Sequence, residues 1–168
     1  MNYLKYYHLE DYLFEEVKNN FHKRGYLKPE EFFCIIIWKA NRAKTRIRDK
    51  VLKKDKNLVI AIKRLTSEIF KALENKNKLK VLLEDWKFSL PMATAILTVL
   101  YPNNFTVYDV RVRGQLNIED FSGRRDEIKR YFSEFLPKVK KCQGKNLRDK
   151  DRILWGKSFY KDLKQLIK

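Results

Sequence analysis

The chain has 168 residues and a mass of 20.4 kDa, the size of a single domain or of two intimately packed lobes, and long enough to bury a core. Hydrophobic residues make up 44% and aromatic residues 14% of the composition, which excludes a disordered chain despite the high charge. Lys and Arg number 38 against 21 Asp and Glu, a formal net charge of +17, and an excess of this size on a folded chain points to a polyanionic partner, most often nucleic acid.

In chain order the pattern reads as helix after helix. Leu9, Tyr12, Leu13, Val17 and Phe21 fall at helical spacing, and Gly25 suits a stop. Lys28-Pro29-Glu30-Glu31 opens the next helix, with proline and acids in the first turn, and Phe32 to Trp38 is apolar nearly all round, as expected of a buried central helix, although that run taken alone would also pass for a strand. From Lys39 to Arg64 eleven Lys and Arg stand against two acids, a candidate face for backbone phosphates. Leu58, Ile62, Leu65, Ile69 and Leu73 form one stripe of an amphipathic helix, followed by a polar joint, Glu74 to Lys78, and by Leu79, Val81, Leu82 and Leu83.

The stretch Trp86 to Arg113 is the least charged part of the chain. It divides into a turn at Lys87-Phe88-Ser89, a small-residue helix from Pro91 to Leu100, a second turn over Tyr101 to Asn104, an extended Phe105 to Tyr108, and a helix opened by Asp109. Ala93, Thr94 and Ala95 leave room for another backbone to approach. Asn117 to Gly123 reads as a loop and Arg124 to Lys141 as a helix broken near Pro137. Asn146 to Ile167 reads as a final helix or helix pair with Leu147, Ile153, Leu154, Trp155, Phe159, Leu163 and Leu166. No strand pair, repeat or low-complexity linker is evident, so the expected class is all-α.

Cys34 and Cys142 lie far apart, and His8 and His22 are the only histidines. No zinc site is expected, a four-cysteine iron–sulfur cluster is excluded, and no other cofactor is implied. No apolar run approaches the roughly 18 residues of a membrane span and no secretory core opens the chain. The expectation is therefore no membrane partner and a cytoplasmic, nucleoid-associated protein.

A turn, a small-residue helix and an extended run ending in aspartate resemble the core of the helix-hairpin-helix DNA glycosylase superfamily. That family carries Gly-Val-Gly-x-Lys-Thr-Ala or Gly-Val-Gly-x-x-x-Ala at the hairpin, whose amides grip a DNA phosphate, and a Val-Asp-x-x-Val-x-Arg element some eighteen residues after the lysine. Ala93 falls on the hairpin alanine, Val107-Tyr108-Asp109-Val110-Arg111-Val112-Arg113 falls close to the aspartate element, and Asp109 matches the catalytic aspartate. The chain is also similar to small uncharacterised hairpin proteins through Trp38-Lys39-Ala40-Asn41-Arg42 and Leu147 to Trp155.

The departures are equally specific. The two hairpin glycines fall on Lys87 and Ser89, so the turn must be altered or must hold a non-glycine residue at positive φ. The catalytic lysine position is Pro91, which cannot form a Schiff base. The resemblance thus implies a compact multi-helix fold and a monofunctional DNA glycosylase. In such an enzyme Asp109 stabilises the oxocarbenium-like sugar and positions water after the base is flipped out. Lys87, Ser89, Lys39, Arg42, Arg111 and Arg113 are then the candidates for nucleic-acid contact, and Trp38 and Tyr108 for a base pocket. Asp109 also suits a plain helix cap, and Trp38, Trp86 and Trp155 suit a core better than a base-stacking platform. The alternative reading is a helix-hairpin-helix module that binds DNA or RNA without chemistry.

Overall fold

The computed structural model describes residues 3–167, and among them it is all-α, with no strand. The elements are α1 (Leu4–Tyr7), α2 (Leu9–Asp11), α3 (Lys18–Arg24), α4 (Pro29–Ala40), α5 (Lys44–Leu52), α6 (Leu58–Lys71), α7 (Asn75–Lys80), α8 (Leu90–Leu100), α9 (Val110–Gln115), α10 (Glu127–Arg130), α11 (Leu136–Lys140) and α12 (Leu147–Leu166). Wider π-type turns at Tyr12–Val17, Val81–Asp85 and Tyr131–Phe135 continue the neighbouring helices. The chain forms two compact units. The first holds the chain up to Phe88 together with Val99–Tyr101, and the second holds Ser89–Thr98 and Pro102 onward.

In the first unit, Tyr12, Leu13, Val17 and Phe21 bury one face of the π-turn Tyr12–Val17 and of α3. Gly25 ends that run at φ 77°, its N–H donating to the Phe21 carbonyl at 2.7 Å, the left-handed stop that glycine adopts without steric cost. α4 begins at Pro29, and the buried Glu31 carboxylate accepts the Lys28 N–H at 2.8 Å and the Asn20 amide at 3.0 Å and pairs with Arg24. Only one side of α4 is interior: Phe32, Ile35 and Ile36 are buried while Ile37 is 38% exposed, so it is a half-buried helix and not one enclosed all round. Asn57 caps α6, accepting from the Val59 and Ile60 amides at 3.0 and 3.2 Å. Ile62, Leu65 and Ile69 are buried as the stripe requires, but Leu73 lies beyond the helix end and is 93% exposed. The polar joint is itself mostly helical. α7 runs through it because Lys78 folds back, donating its ammonium to the Ala72 carbonyl and lying 4.9 Å from the centre of the Tyr101 ring.

In the second unit the segment Phe105–Tyr108 is extended and buried. The helix expected to break near Pro137 does not. It starts at Glu127 and continues through α11, since the π-turn over Tyr131–Phe135 widens the coil ahead of the proline ring. α12 is a single helix capped by Asn146, which accepts the Asp149 N–H at 2.9 Å. Its first half is packed through Leu147, Asp151 and Leu154, but Trp155, Phe159, Leu163 and Leu166 face outward.

Candidate nucleic-acid interface

In the first unit α5 buries Ile47 and Val51. Arg46, Lys50 and Lys53 follow one another at i, i+4 and i+7 from α5 into the turn after it, so they share a neighbouring side of the coil. Together with Lys54, Thr45, Asp49, Trp86 and Lys87 they line a groove of about 560 Å³. The one acid in it, Asp49, is ion-paired to Arg48 at 2.9 Å, so the electrostatics of the groove are those of its five cations. Burial, with Arg46 and Lys53 as like-charged neighbours, holds the Lys50 ammonium below the ordinary lysine range. A site whose cations raise one another's energy is relieved by an anion.

The turn beside α5 fixes the rest of the groove. The Trp86 N–H donates to the Val81 carbonyl at 3.0 Å and the Phe88 N–H to the Leu82 carbonyl at 2.8 Å. Lys87 between them has φ 56°, which costs a residue with a Cβ about 1–2 kcal/mol relative to an ordinary conformation. This is the position where the resemblance puts the first hairpin glycine. Lys50 donates to the Lys87 carbonyl and lies 5.9 Å from the centre of the Phe88 ring, tying the turn to α5. The Trp86 indole is buried, donates to Glu68 at 2.6 Å and carries the Arg64 guanidinium over its ring at 5.2 Å.

In the second unit two buried groups anchor the extended segment. The Tyr131 hydroxyl donates to the Thr106 carbonyl at 2.7 Å and accepts the Thr106 N–H at 2.9 Å. Asp151 of α12 accepts the Thr106 hydroxyl at 3.0 Å and pairs with Arg148 at 2.5 Å. Burial pushes the Asp151 carboxyl up and Arg148 and Thr106 pull it down, with a net shift upward. The Tyr108 N–H donates to the Thr94 hydroxyl at 2.9 Å, so the close approach made possible by the small residues around Thr94 is taken by this segment.

Asp109 is the N-cap of α9, accepting the Arg111 N–H at 2.9 Å, and is partly exposed. Tyr108 is 2% exposed and packed against Phe121 and Phe135, its hydroxyl accepting the Phe121 N–H at 3.1 Å. It therefore belongs to a filled interior and does not line a base pocket. Arg111 pairs with Asp162 and lies over Trp155 and Phe159. Arg113 donates to the Ile118 carbonyl at 3.0 Å and faces Asp120 at 3.5 Å. Both arginines, of which at most one was expected to face a phosphate, are engaged within their own unit.

Of the other candidates, Lys87 lines the groove, whereas Lys39, Arg42 and Trp38 do not line it. Trp38 packs edge-on against Phe14 at 5.7 Å between ring centres. Ser89 is exposed and its carbonyl accepts the Met92 and Ala93 amides that start α8. Arg46, Lys50, Lys53 and Lys54 stood out in the sequence only as members of a basic run; their helical spacing was the signal that groups them. Among the described residues no cluster of three metal-binding side chains occurs and no helix is long and apolar enough to cross a membrane. Comparison with protein-family models, with curated proteins and with solved structures returns no match for this chain.

Proposed function

We propose that the chain binds nucleic acid through the phosphate backbone, with the groove beside α5 as the contact surface. The observation that carries this reading is the convergence of Arg46, Lys50, Lys53, Lys54 and Lys87 on one groove whose only acid is already paired. Cations with a shared opening and no compensating acid suit a run of phosphates and read no sequence. DNA is the expected partner, in keeping with the hairpin resemblance, in which the same turn meets a phosphate. The test is fluorescence anisotropy of a labelled duplex at low salt with wild type and an Arg46→Glu, Lys50→Glu, Lys53→Glu variant. A loss of at least about tenfold is expected; equal affinity would remove the groove from the interface.

Base excision is the second reading, and one observation favours it: Asp109 is partly exposed although the two residues before it are buried. As an N-cap it keeps its carboxylate at the start of α9, and it is the residue to which the resemblance gives the sugar-stabilising role. Base release from duplexes carrying single lesions, read after hot alkali, tests it. Release by wild type that disappears in Asp109→Asn with DNA affinity retained supports a monofunctional glycosylase. No release by wild type from any lesion leaves backbone binding as the function.

A further inference from the structure

The second unit carries a surface that backbone binding in the first does not use. Arg152, Trp155, Phe159, Leu163 and Leu166 recur at three- and four-residue intervals and form one stripe along α12. Trp155 is 43% and Phe159 47% exposed, and their rings are stacked, 5.5 Å between centres and 11° from parallel. The Arg111 guanidinium lies 5.3 Å and 5.8 Å from the same two ring centres and is fixed there by Asp162. Arg152, at the head of the stripe, also lines a groove of about 530 Å³ with Lys145, Gln143, Gly144, Asp149 and Ile153.

We propose that this stripe is a stacking platform for the bases of single-stranded nucleic acid, with the Lys145–Arg152 groove taking the adjoining backbone. Charge complementarity selects the occupant. The stacked Trp155 and Phe159 rings match unpaired bases, and Lys145 and Arg152 outnumber Asp149 in the adjoining groove, which suits the phosphates between them; stacking of this kind tolerates any base. A lipid surface is the competing occupant, and sedimentation with vesicles separates it from single-stranded nucleic acid. The proposal stands on residues of the second unit alone, so it survives or fails independently of the α5 groove.

The experiment compares a labelled short oligothymidylate with a duplex of equal length, using wild type, a Trp155→Ala, Phe159→Ala double variant, and Trp155→Phe. The double variant is expected to lose about tenfold or more in single-strand affinity, with duplex affinity unchanged within about twofold. Trp155→Phe should keep most of it. In parallel, 2-aminopurine placed within the oligonucleotide should be quenched when wild type binds, a reading of stacking that needs no substitution. Unchanged single-strand affinity in the double variant with no quenching would overturn the proposal. So would sedimentation of wild type with phosphatidylserine vesicles that the double variant loses while single-strand binding persists, or a dimer of the chain that dissociates on the same substitutions.

Discussion

Two regions, one in each unit, use their positive charge in opposite ways. In the second, Arg111, Arg113 and Arg148 each face an acid, Asp162, Asp120 and Asp151 respectively. Along α5 in the first, Arg46, Lys50 and Lys53 lie near one another, and Lys50 is held below its ordinary range by burial together with that crowding. A cation that meets an acid supports its own fold, while cations gathered on one groove are relieved by an anion from outside. Net charge alone distinguishes nothing here; the placement of the acids does.

The largest expected break in this comparison comes from Asp151. Asp151→Ala removes the acceptor of the Thr106 hydroxyl and leaves Arg148 without its pair, and loss of one member of a buried pair costs about 3–5 kcal/mol. Thermal and denaturant melts should show that loss, whereas exposed Lys53→Ala should change stability by less than about 0.5 kcal/mol. Equal effects would mean that the charges of the two regions are not used differently.

Next in size is Lys87→Gly. Glycine accepts the φ of 56° without the Cβ penalty, so the variant should be about 0.5–1 kcal/mol more stable in a urea melt and still bind duplex more weakly, having lost a groove cation. A variant that is both more stable and fully active in binding would take Lys87 out of the interface.

The smallest effect is the pH dependence of Lys50. Its folded value is lowered, so the energetic penalty of the charged form is present below that value and is relieved as pH rises through it toward 10.5, the ordinary lysine value. A bound phosphate favours the protonated form. Duplex affinity should therefore weaken across the alkaline range below 10.5, and Lys50→Arg, which stays charged there, should flatten that part of the profile.

The helices were largely legible because their signals are local. Pro29 with Glu30 and Glu31, Gly25, Asn57, Asn146 and Asp109 each mark a boundary that the backbone respects. What misled was tertiary. Lys78 reads as a solvated joint residue until the Ala72 carbonyl and the Tyr101 ring are seen to hold it. Pro137 reads as a break until the π-turn ahead of it is known. Arg111 and Arg113 looked available because their acids, Asp162 and Asp120, come from later in the chain. The groove was half legible, since the basic run is plain in the sequence but the turn that supplies Trp86 and Lys87 lies more than thirty residues beyond α5. Trp155 suited a core by its size, and only the surroundings of α12 show it exposed.

The claim at the centre of this account is that the α5 groove neutralises phosphates, and the salt dependence of duplex binding measures that number directly. Wild type should lose affinity linearly in the logarithm of salt concentration, and the Arg46→Glu, Lys50→Glu, Lys53→Glu variant should have a slope shallower by about 0.9 for each contact removed, near three units in all. A variant with the wild-type slope would place the phosphates elsewhere on the chain and contradict the account.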